Sequence, residues 1–403
     1  MEMEGWLTLY FFGDKRNPKK KQLSPGPWSL PIIGSLHHLV GDLPHRRMMK
    51  MSGQHGPLMH LQPGEVPTVI VSSAEAAALV MKTNDLDFAS RPRNPLQDII
   101  SCGGMGIIFS PYGDRWRQMR KICIVELLSS KQVRRMEGIK ANEIGNLLHS
   151  MATVGATVNV SVKMARLSSD VVTRVVFGGN FTRRDEYLHE LMGSFCLVDL
   201  FPSSRLVRRS YGRIQHIITE IIEGRKDARA AGGHARSTND EDLLDVLLRL
   251  QEEDSLTFPL TTEIIGVVIF MVIKEVLRLH PPAPLLVPRE TREDCEIMGY
   301  DMPKGTNIFV NVFAISRDPK YWDNPEEFKP ERFENNNVEY YGTHFEFIPS
   351  GGGRRQCPGI LFSMSTVEIG LANLLYHFDW VLPRGASAES VDMSEKFGVS
   401  VRR

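Results

Sequence analysis

The stretch Phe345-Glu346-Phe347-Ile348-Pro349-Ser350-Gly351-Gly352-Gly353-Arg354-Arg355-Gln356-Cys357-Pro358-Gly359 decides how the rest of the chain reads. A cysteine follows a glycine-rich turn carrying two arginines. The Pro-Gly after it, with the apolar run from Ile360 to Tyr376, predicts that a helix starts there. Proline suits the first helical position, where its missing N–H would be unpaired anyway. Cys357 is therefore expected at a helix N-terminus, where unpaired N–H groups and the helix dipole favour a thiolate. Gly351, Gly352, Gly353 and Gly359 allow close backbone approach to a flat ligand. Arg354 and Arg355 offer guanidinium groups to carboxylates on such a ligand. A lone cysteine is more often an inert buried side chain, but these surroundings point to a thiolate ligand for haem iron.

The stretch resembles the haem-binding loop of the cytochromes P450, F-x-x-G-x-R-x-C-x-G. Gly353, Arg355, Cys357 and Gly359 fall on four of its fixed positions, and Ser350 stands where the family has phenylalanine. The resemblance implies haem b as cofactor, Cys357 as its metal ligand, and Gly353, Arg355 and Gly359 around it. The competing readings of the triple glycine are poor. A phosphate-binding loop lacks its lysine-serine pair, and no second cysteine or histidine stands at zinc spacing.

Composition sets wide bounds. Of 403 residues, 42% are hydrophobic and 24% charged, enough to build a substantial core, and the formal net charge is zero. That balance argues against nucleic acid as a partner. Five scattered cysteines without a C-x-x-C spacing suggest a reducing compartment. Length alone favours more than one domain, yet no linker divides the chain, so one large domain is expected.

Trp6–Phe12 is apolar but shorter than the roughly 20 residues a spanning helix needs, and Lys15, Arg16, Lys19, Lys20 and Lys21 follow. With the stiff proline-rich connector Ser24–Gly34, this reads as the end of a membrane anchor with a basic cytoplasmic flank. Residues 1–23 are thus expected to be a truncated anchor, and 24–403 the catalytic domain. Short β-branched runs between Gly56 and Val71 predict a hairpin. Ser73 to Thr83 predicts a helix capped by Ser73, and Gln97–Phe109 an irregular region. In the helix at Tyr112–Lys121, Trp116 and Arg120 share a face. They resemble the family's W-x-x-x-R pair, which implies contacts to a haem propionate.

Further helices are expected at Val158–Val176, Tyr211–Arg225 and Leu243–Gln251, and a solvated loop at Ala228–Asp242. Within that loop Ala231-Gly232-Gly233 and Ser237-Thr238 mimic an oxygen-activation motif. Arg229, His234 and Arg236 interrupt it and no apolar helix surrounds it, so the match is rejected. Leu260–His280 then predicts one continuous helix, with no proline and no glycine after Gly266. Its end, Glu275 and Arg278, resembles the family's E-x-x-R helix, and Pro330-Glu331-Arg332-Phe333 its P-E-R-F motif. Together they imply a Glu275–Arg278–Arg332 network. The start of the helix resembles the opening turns of the family's long central helix. The segment between, with its A-G-x-[DE]-T acid–alcohol pair, is missing near 270/271, so no catalytic residue is identified. Pro281–Arg289 must be extended, and by resemblance Ala283, Leu285, Leu286 and Val287 face substrate while Arg289 meets a propionate. Asp294–Ile297 and Thr306–Val310 read as hairpin strands, and Phe397–Val401 as a strand that stops where the family continues into a closing hairpin.

The fold expected is mainly α with small β-sheets, an incomplete cytochrome P450 fold. It looks most like plant microsomal members acting on terpenoids and other specialised metabolites. The activity implied is monooxygenation: one atom of O2 enters a small lipophilic substrate, with electrons from NADPH-cytochrome P450 reductase. The place implied is the membrane surface on the cytoplasmic face of the endoplasmic reticulum. Without the central segment the chain is expected to be impaired. The alternative is a non-catalytic haem-binding remnant or an unstable splice or gene-model product.

Overall fold

Proline and glycine turns cut the N-terminal region into short pieces, and these build a sheet. The computed structural model describes residues 22–93, 106–153, 157–177, 186, 262–334, 336–378, 380 and 382. A 3-10 turn, Leu36–Leu39, precedes helix α1 (Pro44–His55). Strands β1 (Leu58–Leu61) and β2 (Thr68–Val71) form the expected antiparallel hairpin, with Leu58 opposite Val71. Ser73 Oγ accepts the Ala76 N–H at 3.2 Å and so caps α2 (Ala74–Ala78), whose last turn widens to π spacing over Leu79–Thr83.

Among the described residues the helices that come next are α3 (Asp114–Ile122), α4 (Ser130–Arg135), α5 (Glu137–Ala152) and α6 (Val160–Phe177). After them stand α7 (Thr262–Leu279), β3 (Arg289–Glu290), β4 (Cys295–Ile297), β5 (Tyr300–Met302), β6 (Asn307–Val310), α8 (Val312–Ile315) and finally α9 (Ile360–His377). The helix predicted at Leu260–His280 is unbroken from Thr262 to Leu279. Leu260 and Thr261 lie outside the described residues. So do Trp6–Phe12, the helices at Tyr211–Arg225 and Leu243–Gln251, the loop Ala228–Asp242, the strand Phe397–Val401 and most of Gln97–Phe109.

The later strands depart from simple hairpins. β4 does pair with β5 across Met298 (φ 53°) and Gly299 (φ 81°), a two-residue turn with both residues left-handed. β6 instead runs parallel to β2, Thr68 opposite Asn307, and carries β3 on its other edge, giving the order β1-β2-β6-β3. Local turn signals cannot encode a parallel partner so far away in the chain.

Apolar clusters hold these elements around the cysteine loop. The sheet and α2 share one, including Val69, Val71, Val80, Met81, Phe88, Ile308 and Val310. A second joins α7 to α9 through Ile273, Trp322, Phe333, Phe347, Ile360 and Met364. A third joins α5, α6 and α9 through Ile144, Leu147, Leu167, Val171 and Leu374.

One polar knot is set beside the second cluster. Glu275 and Arg278 are both 0% exposed. Arg278 donates to both carboxylate oxygens of Glu275, each at 2.8 Å, the two-bond geometry that suits this pair. Arg332 Nε adds a third contact at 3.1 Å and the Lys329 N–H a fourth at 2.9 Å. The remaining guanidinium hydrogens go to backbone carbonyls: Ser316, Pro325 and Glu327 for Arg278; Asp323, Asn324 and Glu327 for Arg332. Arg278 also lies over the Trp322 ring at 5.4 Å. Burial pushes the Glu275 carboxyl up, but the hydrogen bonds from Arg278 and Lys329 and the charges of Arg278 and Arg332 outweigh it and hold it below the usual range.

Because the folded-state value is depressed, this stabilisation is complete above the ordinary glutamate value of about 4.3. It is lost as the pH falls from there through the depressed value. Glu275→Ala leaves Arg278 buried without its carboxylate and is expected to cost about 3–5 kcal/mol in urea denaturation at neutral pH. The difference from the parent should shrink as the pH is lowered below about 4.

Candidate functional site

The cysteine loop is tied to two cores at once. Phe345 and Ile348 belong to the sheet cluster, while Phe347 and the start of α9 belong to the α7–α9 cluster. Between these anchors the chain turns back on itself. The Ile348 carbonyl takes the Gly351 N–H at 3.0 Å, and the Ser350 carbonyl takes the Cys357 N–H at 3.1 Å. Ser350 thus fixes the loop through its backbone. Cys357 is exposed, and a Cβ on Gly359 would stand 3.9 Å from its sulfur.

Two expectations for this loop need correction. α9 begins at Ile360, because Gly359 is its cap residue and takes the Ser363 N–H at 2.9 Å. Pro358 therefore lies ahead of the helix, and Cys357 is three residues before it rather than at its first turn, where the dipole acts most strongly. Packing by itself also requires a glycine at position 353, Gly353 having φ 64°. A Cβ there would come within 2.0 Å of the Met81 carbonyl and 2.7 Å of the Asp85 carboxylate.

Asp85 is the hub of the surrounding charges. One oxygen accepts from Arg289 Nη1 at 2.9 Å; the other accepts the Arg354 N–H at 2.8 Å and Arg354 Nη1 at 3.1 Å. Arg289 Nη2 donates to the Gly352 carbonyl at 2.7 Å, so this arginine, expected at a propionate, is occupied in holding the glycine turn. Arg355 is buried over the Trp116 ring at 4.3 Å. Its Nε donates to the Ala89 carbonyl at 2.6 Å and its Nη2 to Ser110 at 2.8 Å, while Nη1 is buried with no partner. Arg120 lies over the same indole at 5.5 Å. The Trp116 N–H, expected to meet an anion, donates to the Ile107 carbonyl at 3.0 Å. Trp116 thus presents a flat aromatic wall to two guanidinium groups.

Arg91 completes the group. Its Nε donates to the Ile108 carbonyl and its Nη1 to those of Val287 and Pro288 at 2.6 and 2.7 Å. Burial pushes Arg91 well down, and the charges of Arg355 and Arg289 add to it. Burial likewise lowers Arg355, with Arg289 and Arg120 adding to the effect. In Arg120 burial outweighs the opposing pull of Cys357, Cys123 and Asp85. These guanidinium groups crowd one another around a single bonded carboxylate. A ligand with its own carboxylates would relieve that repulsion and could meet Arg355 Nη1. The residues present fit haem: an accessible thiol, a glycine beside it, an aromatic wall and surplus buried cations.

The extended segment after α7 is half-buried at Ala283, Leu285, Leu286 and Val287. Leu285 packs into the cluster of Met48, Met59, Leu61 and Ile70, so its side chain is taken up by the core. Leu286 (φ 52°) meets the sheet cluster, and its Cδ1 would lie 3.5 Å from a Cβ on Gly351. Sequence reasoning missed Asp85 and Arg91. Neither belongs to a recognisable spacing, and the only local cue, Pro92 after Arg91, says that the chain is extended there. Among the described residues no group of three or more His, Cys, Asp or Glu side chains comes together to hold a metal ion.

The family model for cytochrome P450 matches residues 24–270 and 267–402. Desmethyl-deoxy-podophyllotoxin synthase of Sinopodophyllum hexandrum is 40% identical over 459 residues, covering 96% of this chain and 90% of that protein. Ent-cassadiene hydroxylase of Oryza sativa subsp. japonica is 41% identical over 461 residues (94% and 89%), and 5-epiaristolochene 1,3-dihydroxylase of Nicotiana tabacum 39% over 463 (96% and 92%). A zebra fish cytochrome P450 solved with progesterone shares the fold, with a TM-score of 0.70 at 23% identity over 90% of this chain and 98% of that one. The fold expected from the sequence, mainly helical with small sheets, is the fold found, in a chain shorter than the alignments with its relatives.

Arg355→Met keeps the bulk of the side chain and removes its charge. It is expected to weaken haem binding by about 10- to 100-fold, the range for losing a charged hydrogen bond. Haem titration of the purified chain, followed by absorbance, checks it.

Proposed function

The chain belongs to the cytochrome P450 family, and from that membership we propose that it is built as a haem-thiolate monooxygenase for small lipophilic plant metabolites, terpenoids among them. The observation that carries the reading is the exposed Cys357 thiol beside buried arginines short of counter-charge. Cys357 would ligate the iron, and Arg355, Arg120 and Arg91 would meet the haem carboxylates. Haem held by a thiolate supplies the electron density that favours O–O cleavage, and with it insertion of one oxygen atom into a C–H bond. The protein's share is positioning. The Glu275 network fixes the polypeptide beside the cysteine loop, and Asp85 with Arg289 holds the glycine turn in place. Ala283, Leu286 and Val287 offer an apolar edge for substrate. The substrate class is supported by the relatives, two of them named for oxidising ent-cassadiene and 5-epiaristolochene.

The partners in this reading are NADPH-cytochrome P450 reductase and a membrane surface. The site of action is the cytoplasmic face of the endoplasmic reticulum, with residues 1–23 at the membrane and 24–403 as the catalytic domain. Among the described residues no helix is long and apolar enough to cross a membrane.

A second reading concerns this chain's own activity. The two family matches meet at 267–270, inside α7, and the alignments with relatives extend to 459–463 residues for a chain of 403. We infer that an internal segment carrying the acid–alcohol pair is absent at 270/271. Proton delivery and water exclusion are then weakened, which favours consumption of reducing equivalents without substrate oxidation.

Two measurements test these readings. The reduced, CO-treated chain should show the absorbance of a thiolate-ligated haem, and Cys357→Ala should abolish it; a spectrum unchanged by that substitution overturns the ligand assignment. With reductase, NADPH should be consumed with hydrogen peroxide as the main product. Oxidation of a terpenoid panel at the rate of a relative overturns the impairment. Haem uptake without oxidation or NADPH consumption favours the non-catalytic remnant, and failure to take up haem favours the unstable product.

A further inference from the structure

The core-facing stripe of α5 contains a cation with no bonded counter-charge. Ile144, Leu147 and Met151 are buried along that stripe and pack with Leu374 of α9. At the same helical spacing an apolar residue is expected at position 140. The sequence has a lysine there, and it is 0% exposed. Glu143, also on the buried side, is answered by Arg174 of α6 at 2.7 Å. Lys140 is not answered in this way: among the described residues no carboxylate is bonded to its ammonium. Burial pulls the group below its ordinary range, with the charges of Glu137 and Glu368 opposing. A buried charge without such a partner is costly, and an apolar side chain of similar volume is often the more stable choice. A lysine kept there against that preference points to a use for it.

Its contacts indicate the use. The ammonium reaches the first turns of α9, where it donates to the Phe362 carbonyl at 3.2 Å and to Ser365 Oγ, 4.6 Å from the centre of the Phe362 ring. Those turns are soft by themselves. Ser363, Ser365 and Thr366 donate their hydroxyls to the carbonyls of Gly359, Leu361 and Phe362 at 3.0, 3.0 and 2.8 Å. Hydroxyls bonded back along a helix in this way bend it and weaken it slightly. Lys140 binds in the middle of this stretch and so fixes its direction from outside. The stretch starts at the cap residue Gly359, and a Cβ on that glycine would stand 3.9 Å from the Cys357 sulfur. A tilt of the first turns of α9 therefore carries the sulfur with it.

We propose that Lys140 is a positioning residue for Cys357: through the Phe362 carbonyl and the Ser365 hydroxyl it sets the direction in which α9 leaves the cysteine loop, and with it the place of the sulfur that ligates the iron. The proposal rests on the haem-thiolate reading above and gives α5 a part in it. Lys140 acts only through α9.

The test compares the full chain with Lys140→Met, Lys140→Arg and Ser365→Ala, and with Arg174→Met as a control that breaks the α5–α6 pair instead. Two readouts follow the sulfur. One is the ratio of thiolate-ligated to other haem in the reduced, CO-treated protein; the other is the rate of iodoacetamide alkylation at Cys357 in the haem-free chain, read by peptide mass spectrometry. In Lys140→Met the ratio should fall and the alkylation rate rise, each on the order of tenfold, the scale for losing a charged hydrogen bond. Its thermal midpoint should not fall, because the buried charge has gone. Lys140→Arg should recover both readouts, and Ser365→Ala, which leaves the lysine its carbonyl, should move both by less. Arg174→Met should lower the midpoint and leave both readouts at the parent's values. Parent-like readouts in Lys140→Met overturn the proposal, as does an equal change in Arg174→Met or no recovery in Lys140→Arg. If Lys140→Met does not fold, parent-like readouts in Ser365→Ala overturn it. A parent without the thiolate signature overturns the haem reading, and the proposal with it.

Discussion

Glu275 carries an ionised carboxylate into a place with no water, and the surrounding structure has to answer for it. Two arginines and a backbone N–H meet its oxygens, and carbonyls from 316 to 327 take up the guanidinium hydrogens left over. Buried ion pairs of this kind are poor sources of net stability compared with apolar packing, because the desolvation cost is so large. Their consequence is geometric. Since every donor and acceptor must be satisfied together, α7 and the chain from Ser316 to Arg332 have one permitted arrangement. Trp322 and Phe333 leave that knot to pack on Phe347, two residues before Pro349 and the cysteine loop. A polar constraint is thereby passed to the site through aromatic contacts.

The parts legible in the sequence were those written in local spacing. The cysteine loop, the Glu275–Arg278 turn, the Trp116/Arg120 pair, the first hairpin and the Ser73 cap each need only neighbouring residues to be recognised. Asp85 and Arg91 escaped for the opposite reason. Asp85 meets Arg289 across 204 residues of sequence, and Arg91 reaches Val287 across 196. Nothing near either residue announces such a partner. Gly353 belongs with them, because the packing that requires a glycine there comes from far away in the chain. The glycine is required by the carbonyl of Met81, contributed by a distant helix end. The parallel pairing of β2 with β6 belongs to the same class.

The arginines around Arg355 differ from the Glu275 knot in one respect. There every group is answered from within the chain, whereas here Arg355 Nη1 is left buried and unpaired and the cations outnumber the carboxylate between them. A folded state that tolerates this is less stable than it would be with an anion in place, and a ligand that binds only the folded state adds its own free energy to folding. An anionic ligand such as haem would therefore serve the structure as well as the chemistry. Loss of the ligand should be felt first where the arginines converge, at residues 85–91 and 353–357, while the sheet and the α5–α6 packing have their own cores.

One half of α7 is held by two separate sets of contacts. This C-terminal half is fixed by the Glu275 network and by Ile273 against α9. A helix of 18 residues is about 27 Å long, and sharp kinks need a proline, a glycine or serine pair, or an inserted group. None stands between Val267 and Leu279. With one half immobilised, the axis of the other half follows from it. Here the buried glutamate decides for both. Inserting residues between 266 and 271 would uncouple the halves without touching the network, so the fold around Cys357 should survive such an insertion.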